Sequence, residues 1–228
     1  MSHFKILSVG GSIIIPKTGF DIPFLKKFRA MIVERVKKGD RFILVIGGGA
    51  TCRQYQDAAK QVVKMSDEEL DWLGIYTTIY NANFVRFLFK DIAYEKVITD
   101  PHKKISTRKP VILAAGHKPG ASTDIDAVFM AKTYGATELL NLSNIEYVYN
   151  KDPRKFSDAV KIEKIDWAQF RKEIVGEKWT PGANAPFDPI ASKHAQKLGL
   201  KVSILQGTNL TEVKKALTGK MFRGTVIV

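Results

Sequence analysis

Arg41-Phe42-Ile43-Leu44-Val45-Ile46 runs without a break into Gly47-Gly48-Gly49. A short apolar run ended by glycine reads as a strand buried on both faces, followed by a turn in which bare backbone N–H groups can converge. The design recurs on either side. Upstream, Phe4-Lys5-Ile6-Leu7-Ser8-Val9 stops at Gly10-Gly11-Ser12. Downstream, Pro110-Val111-Ile112-Leu113-Ala114-Ala115 stops at Gly116, and a loop leads on to Thr123.

Helical patterns separate these runs. Asp21 reads as an N-cap with Pro23 in the first turn, and Phe24, Phe28, Ile32 and Val36 form one apolar stripe that Gly39 ends. Ala58, Ala59, Val62 and Val63 suggest the apolar face of a second helix. Ser66-Asp67-Glu68-Glu69 is a capping box opening a longer helix toward Phe89. Thr123 or Asp124 caps a helix whose Ala127, Met130, Ala131 and Tyr134 share a face. A strand at 138–142 follows, then Asp188-Pro189 as a cap and first helical residue. A strand at 201–205, a helix at 211–217 closed by Gly219 and a last strand at 225–228 complete the chain. Alternating strands and helices predict an α/β fold with a mostly parallel sheet covered on both faces. Ligands in such sheets bind beyond the carboxyl ends of the strands, at the loops 10–12, 47–53, 116–124 and 143–152.

The 228 residues, 45% hydrophobic and 26% charged, suffice for one large domain or two packed lobes, and argue against disorder. One cysteine, Cys52, excludes a disulfide framework and a multi-cysteine zinc site. The histidines show no metal spacing, and no metal-ligating residues are expected. No apolar run reaches the ~20 residues of a membrane span, and Met1-Ser2-His3-Phe4-Lys5 lacks a signal profile. A soluble, cytoplasmic protein is the expectation.

The net charge of +13 attracts polyanions in general. Its basic residues cluster on the first long helix (Lys26, Lys27, Arg29, Arg35, Lys37, Lys38, with Arg41 beyond it) and around Lys103-Lys104 and Arg108-Lys109. Neither cluster interleaves aromatics as a stacking platform would, so both read as solvated faces with no nucleic-acid partner.

Three glycine-ended strands before helices point to phosphate, because helix N-termini and exposed N–H groups favour anions. Neither the Walker nor the Rossmann spacing occurs. Arg53 stands in the first turn of a helix, where a cation opposes the dipole and calls for an anion.

Read in order, the markers are Val9-Gly10-Gly11-Ser12; Gly47-Gly48-Gly49 with Arg53; Asp71-x-x-Gly74 followed by Asn81-Ala82; and Pro119-Gly120 with Ser122-Thr123-Asp124. Then come Leu142-Ser143-Asn144-Ile145, Val148-Tyr149, Lys151-Asp152-Pro153-Arg154, Pro181-Gly182 and Asp188-Pro189-x-Ala191. Over nearly its whole length the chain resembles the amino acid kinase family, and within it the uridylate kinases.

That resemblance implies a three-layer α/β/α sandwich in one domain, with about 1–137 holding the acceptor and about 138–228 the adenine nucleotide. It implies transfer of phosphate from ATP, with Mg²⁺, to UMP, by a homo-oligomer that would be a hexamer. Gly10, Gly11, Ser12, Gly49 and Arg53 would lie along the ATP phosphates; Ser143, Asn144, Tyr149 and Asp152 would line the base and ribose of ATP. Gly48 would approach UMP and Asp71 its ribose hydroxyls. His117, Lys118, Pro119, Gly120, Ala121, Ser122 and Thr123 would wrap its phosphate. Asp124 and Asp188 would help organise phosphates and Mg²⁺, although capping alone could account for both.

Departures from the pattern also stand out. Many bacterial relatives carry a lysine where this chain has Ser8, so another cation must serve; Lys118 is the candidate, against a solvated loop lysine. Ile145-Glu146-Tyr147-Val148-Tyr149 lacks a glycine usual near the adenine. Cys52, beside Arg53 at a helix start, could carry a lowered thiol pKa or be a small packed residue. The alternatives are a sister kinase acting on another phosphate or carboxylate, a non-catalytic nucleotide-binding protein on the same fold, and a basic nucleic-acid binder.

Overall fold

The computed structural model describes residues 4–120, 122–177 and 185–228. The elements run β1 (Phe4–Val9), α1 (Gly11–Ile14), α2 (Ile22–Lys37), β2 (Arg41–Ile46), α3 (Gly49–Val62), α4 (Asp67–Leu88), β3 (Val111–Ala114), α5 (Thr123–Tyr134) and β4 (Glu138–Ser143). They continue with β5 (Val148–Tyr149), β6 (Lys161–Ile162), β7 (Lys164–Ile165), α6 (Trp167–Phe170) with a π-helical turn at Arg171–Val175, α7 (Pro189–Lys197), β8 (Lys201–Gln206), α8 (Leu210–Leu217) and β9 (Thr225–Ile227).

Seven strands form one sheet in the order β3-β2-β1-β4-β8-β9-β7. The first five are parallel, whereas β9 runs antiparallel to β8 and carries β7 parallel to itself. Alternate residues of each strand feed opposite faces. On one face Ile6, Ile43, Val45 and Ile112 pack with Ala127, Met130, Ala131 and Tyr134 of α5 and with Trp167 and Phe170. On the other, Leu7, Val9, Leu44 and Ile46 pack with Phe24, Phe28 and Ile32 of α2 and with Ala82 and Val85 of α4. The result is a three-layer α/β/α sandwich.

Local chemistry sets the helix starts. Asp21 accepts the Phe24 N–H at 2.9 Å, and Ser66 and Glu69 exchange both bonds of a capping box. Two expectations are corrected. α5 is capped by Ser122, which accepts the Asp124 N–H at 3.2 Å; Thr123 and Asp124 are already inside the helix. The expected apolar face of α3 does not pack: Val62 is 87% and Val63 58% exposed, and the buried residue of α3 is Ala50, beside the glycine turn.

Candidate active site

β1 and β2 pair from Phe4↔Arg41 to Val9↔Ile46, so their glycines emerge side by side. Gly47 N–H donates to the Val9 carbonyl at 3.0 Å, and Gly10 N–H to that of Leu142 at 3.0 Å. The two turns touch backbone to backbone. A Cβ on Gly11 would lie 2.5 Å from the Gly47 carbonyl oxygen, and one on Gly47 would lie 2.8 Å from the Gly11 nitrogen. Gly49 adopts a left-handed φ of +67°. Only glycine fits this junction, for steric reasons at Gly11 and for both steric and conformational reasons at Gly49.

The loop after β3 is tied down from three directions. From α4, Thr78 Oγ1 accepts the Gly116 N–H at 2.9 Å and Asp71 Oδ2 accepts the Gly120 N–H at 2.8 Å. His117 Nδ1 lies 2.7 Å from the Thr99 carbonyl, so this nitrogen carries the proton and donates. The His117 ring rests edge-on against His102, which in turn packs on Phe129. From the start of α7, Asp188 Oδ2 accepts the Ser122 N–H at 2.8 Å.

Between the turns and this loop opens a cavity of about 530 Å³. Of the residues anticipated from sequence, Gly48, Gly49, Arg53, Asp71, Lys118, Ser122, Thr123 and Asn144 line it. Gly11 stands behind Gly49 through the backbone contact. Tyr149 sits on the short β5–β6 ribbon, and Asp152 grips Arg154 through Nε at 3.0 Å and Nη2 at 2.9 Å. Arg154 holds the Asp152 carboxyl down at about 2. Ala121 and the Pro181-Gly182 pair lie outside the described residues.

The cavity also contains residues that sequence reasoning missed: Lys17, Thr78, Asp126 and Arg154. Lys17, Arg53, Lys118 and Arg154 give it four cations. Asp126 had a signal, since it follows Thr123 by one helical turn and so shares its face. Arg154 stood in a marker without a role of its own, whereas Lys17, on a loop, and Thr78, on α4, had no local signal. Cys52 also lines the cavity. Burial pushes its thiol up despite Arg53, contrary to the lowered value a helix start suggests.

Two carboxyls stand in the first turn of α5, Asp126 buried and Asp124 half-buried. Ser8 and Asn141, neighbours across β1 and β4, both donate to Asp124 Oδ1, at 3.0 and 2.9 Å. Ser8 thus serves to hold Asp124. Burial, and then the proximity of Asp188, pushes Asp124 up to about 7. Asp126, only 5% exposed, is pushed up to about 8 by burial. Asp188 is different. Its oxygens accept three backbone N–H groups, from Ser122 at 2.8 Å, Ile190 at 2.6 Å and Ala191 at 2.9 Å, which makes it a cap tying α7 to α5.

Among the described residues, no group of three His, Cys, Asp or Glu side chains is placed to hold a metal ion, and no helix is long and apolar enough to cross a membrane.

Residues 3–206 match the amino acid kinase family. The chain belongs to that family. Among its curated members, the uridylate kinase of Pyrococcus abyssi (strain GE5 / Orsay) is 30% identical over 226 residues, spanning 97% of this chain and 98% of its own. That of Methanospirillum hungatei JF-1 is 29% identical over 225 residues, spanning 97% and 93%. The crystal structure of uridylate kinase from Archaeoglobus fulgidus matches with a TM-score of 0.80 at 27% identity, covering 99% of this chain and 100% of the other. UMP kinase from Bacillus anthracis, at 17% identity and a TM-score of 0.76, shares the fold, covering 100% of this chain and 96% of its own. Within the family, then, the chain is similar to uridylate kinases along its whole length.

Proposed function

We propose that this protein transfers the γ-phosphoryl group of ATP to the phosphate of UMP, giving ADP and UDP. One observation carries the reading: two glycine turns in backbone contact border a cavity that holds four cations and, on its α4 wall, a carboxylate. Converging N–H groups and cations suit phosphates that meet end to end, and Asp71 suits a ribose hydroxyl.

In this reading residues from about 1 to 137 hold the acceptor and those from about 138 to 228 hold ATP. Gly10, Gly11 and Ser12 run along the ATP phosphates, and Ser143, Asn144, Tyr149 and Asp152 flank its base and ribose. The loop 117–123 wraps the acceptor phosphate. Arg53 and Lys118 neutralise charge on the transferring group, in the place of a strand lysine that Ser8 cannot supply. The UMP phosphate, with a second pKa of about 6, is already a nucleophilic dianion at neutral pH and needs no general base.

Mg²⁺ would supply further charge neutralisation on the phosphates. Such an ion takes oxygen ligands, and the carboxyl of Asp124 sits in the first turn of α5, directly after the loop 117–123. Asp124 is the carboxylate that would orient its outer shell, and Asp188 would act through Asp124. A cytoplasmic homo-oligomer, a hexamer by family resemblance, serving pyrimidine nucleotide synthesis completes the reading.

The test is a coupled ADP-release assay with ATP and Mg²⁺ across UMP, CMP, AMP, GMP and isopentenyl phosphate. UMP should lead. Equal or better turnover of AMP, GMP or isopentenyl phosphate would sink the acceptor assignment.

A further inference from the structure

Asn81 is wholly buried on α4, directly beneath the glycine turn. Its Nδ2 donates to two successive carbonyls, those of Gly47 and Gly48, each at 3.0 Å. This pair of acceptors fixes which way the amide faces, because the reverse would set Oδ1 against both carbonyl oxygens. Among the described residues Oδ1, also buried, has no hydrogen-bond partner. A fold keeps such an unsatisfied atom at a cost, and here the other end of the same side chain holds the junction of the site.

What Asn81 holds is small but connected. Gly48 lines the cavity, and Gly47 and Gly49 press on the backbone of Gly11. A displacement of the Gly47 and Gly48 carbonyls therefore moves both turns at once. The same helix carries Thr78 and Asp71, which hold Gly116 and Gly120. Residues 71, 78 and 81 lie seven and three apart, close to whole numbers of turns, so a single stripe of α4 grips the glycine turn and the loop after β3.

We propose that Asn81 is a positioning residue for phosphoryl transfer: by clamping the Gly47 and Gly48 carbonyls it keeps the two glycine turns in register, so that donor and acceptor phosphates meet in line. The proposal rests on the phosphotransfer reading above. Asn81 touches no reacting group; it acts through Gly48, Gly49 and Gly11. In-line attack tolerates little error, and a misplacement of about 1 Å lowers the rate by about 10²-fold.

Asn81→Asp keeps the size of the side chain but leaves at most one donor, the O–H of a buried neutral acid, for the two carbonyls that Nδ2 holds together. Asn81→Ser keeps one hydroxyl donor and leaves a small gap. Three quantities separate alignment from mere folding: kcat for UDP formation, equilibrium affinities for UMP and for a non-hydrolysable ATP analogue, and the ratio of ADP to UDP formed. Asn81→Asp should lower kcat by about 10²-fold while both affinities stay within about threefold. The ratio should rise above unity, because with UMP out of line water attacks the γ-phosphorus and gives ADP and inorganic phosphate. Asn81→Ser should fall between the two and carries the same readout if Asn81→Asp does not fold. An unchanged kcat, or a loss matched by lost affinity with the ratio still at unity, overturns the proposal. Failure of the wild-type protein to phosphorylate UMP would instead strike the acceptor assignment, and the Asn81 assay would then use the acceptor that is turned over.

Discussion

Asp71 Oδ2 accepts the backbone N–H of Gly120 at 2.8 Å, joining the first turns of α4 to the tip of the loop that would wrap the acceptor phosphate. In the proposed function the carboxylate then has two tasks, one oxygen holding the loop and the other meeting a ribose hydroxyl. Asp71→Ala removes both and should raise KM for UMP by about 10- to 100-fold, the scale of a charge-assisted hydrogen bond, with a several-fold loss of kcat from the freed loop. Asp71→Asn keeps an acceptor for Gly120 and should restore most of kcat but less of KM. Steady-state kinetics on the pair checks this; equal defects in both variants would show that the loop tether does not matter.

Arg53 from α3 and Lys118 from the loop after β3 both line the cavity. α3 begins at Gly49, so Arg53 stands in its second turn rather than the first that the sequence suggested, and its case rests on its place in the cavity wall and not on the helix dipole. Arg53→Ala should lower kcat more than it raises KM for UMP, by about 10²- to 10³-fold, the range seen when one donor to a developing charge is removed. Arg53→Lys should recover only part of it, since an ammonium lacks the planar fork. Lys118→Ala should show the same kind of loss. If Lys118→Ala is silent while Lys17→Ala is not, Lys17 takes the role of the missing strand cation.

Local rules carried much of the fold. Glycine at a strand end and Asp21, Ser66 or Asp188 before a helix are signals in adjacent residues, and the structure places turns and caps at each. Signals that depend on tertiary proximity were silent. Thr78 read as an unremarkable polar residue of a long helix, and Asn81 as a marker without a task, until the loop after β3 and the glycine turn are laid across that helix. Asp124 read equally well as a cap, because Ser122 two residues earlier satisfies the same rule and wins it. The apolar residues late in α3 suggested packing, yet α3 buries only its start against the glycine turn. The antiparallel β9 is a three-residue strand whose direction no local pattern encodes.

His117 illustrates the difference between being in the loop and being in the chemistry. Its Nδ1 is committed to the Thr99 carbonyl at 2.7 Å and its ring to His102. The side chain anchors the loop rather than offering a base to the cavity. His117→Ala should keep most of kcat, with a modest rise in KM for UMP. A general base would contribute roughly 10²- to 10⁴-fold. A loss of that size at unchanged ATP and UMP affinity would require a base and overturn the dianion mechanism.

The two carboxyls in the first turn of α5 make stability depend on pH in an uncommon direction. Burial raises Asp126 from an ordinary 3.8 to about 8. Burial, with Asp188 adding to it, raises Asp124 from 3.8 to about 7. A carboxyl with a raised folded-state value binds more protons in the native than in the unfolded chain. Its contribution to stability is therefore fully present below pH 3.8 and is lost as pH climbs to about 7 for Asp124 and about 8 for Asp126. The amide of Asp126→Asn cannot ionise and escapes that loss. Its melting temperature relative to wild type should then be close to zero difference at pH 4 and rise to a gain of several degrees at pH 8, on a scale of about 2–4 °C per kcal/mol for a chain of this size. Asp124→Asn should show the same sign over a window closing about one pH unit lower, and should also lose catalysis, a stability gain at the expense of function. Thermal melts of the three proteins between pH 4 and 8 decide it: a melting difference that does not vary with pH would mean that these carboxyls are ionised in the native state throughout.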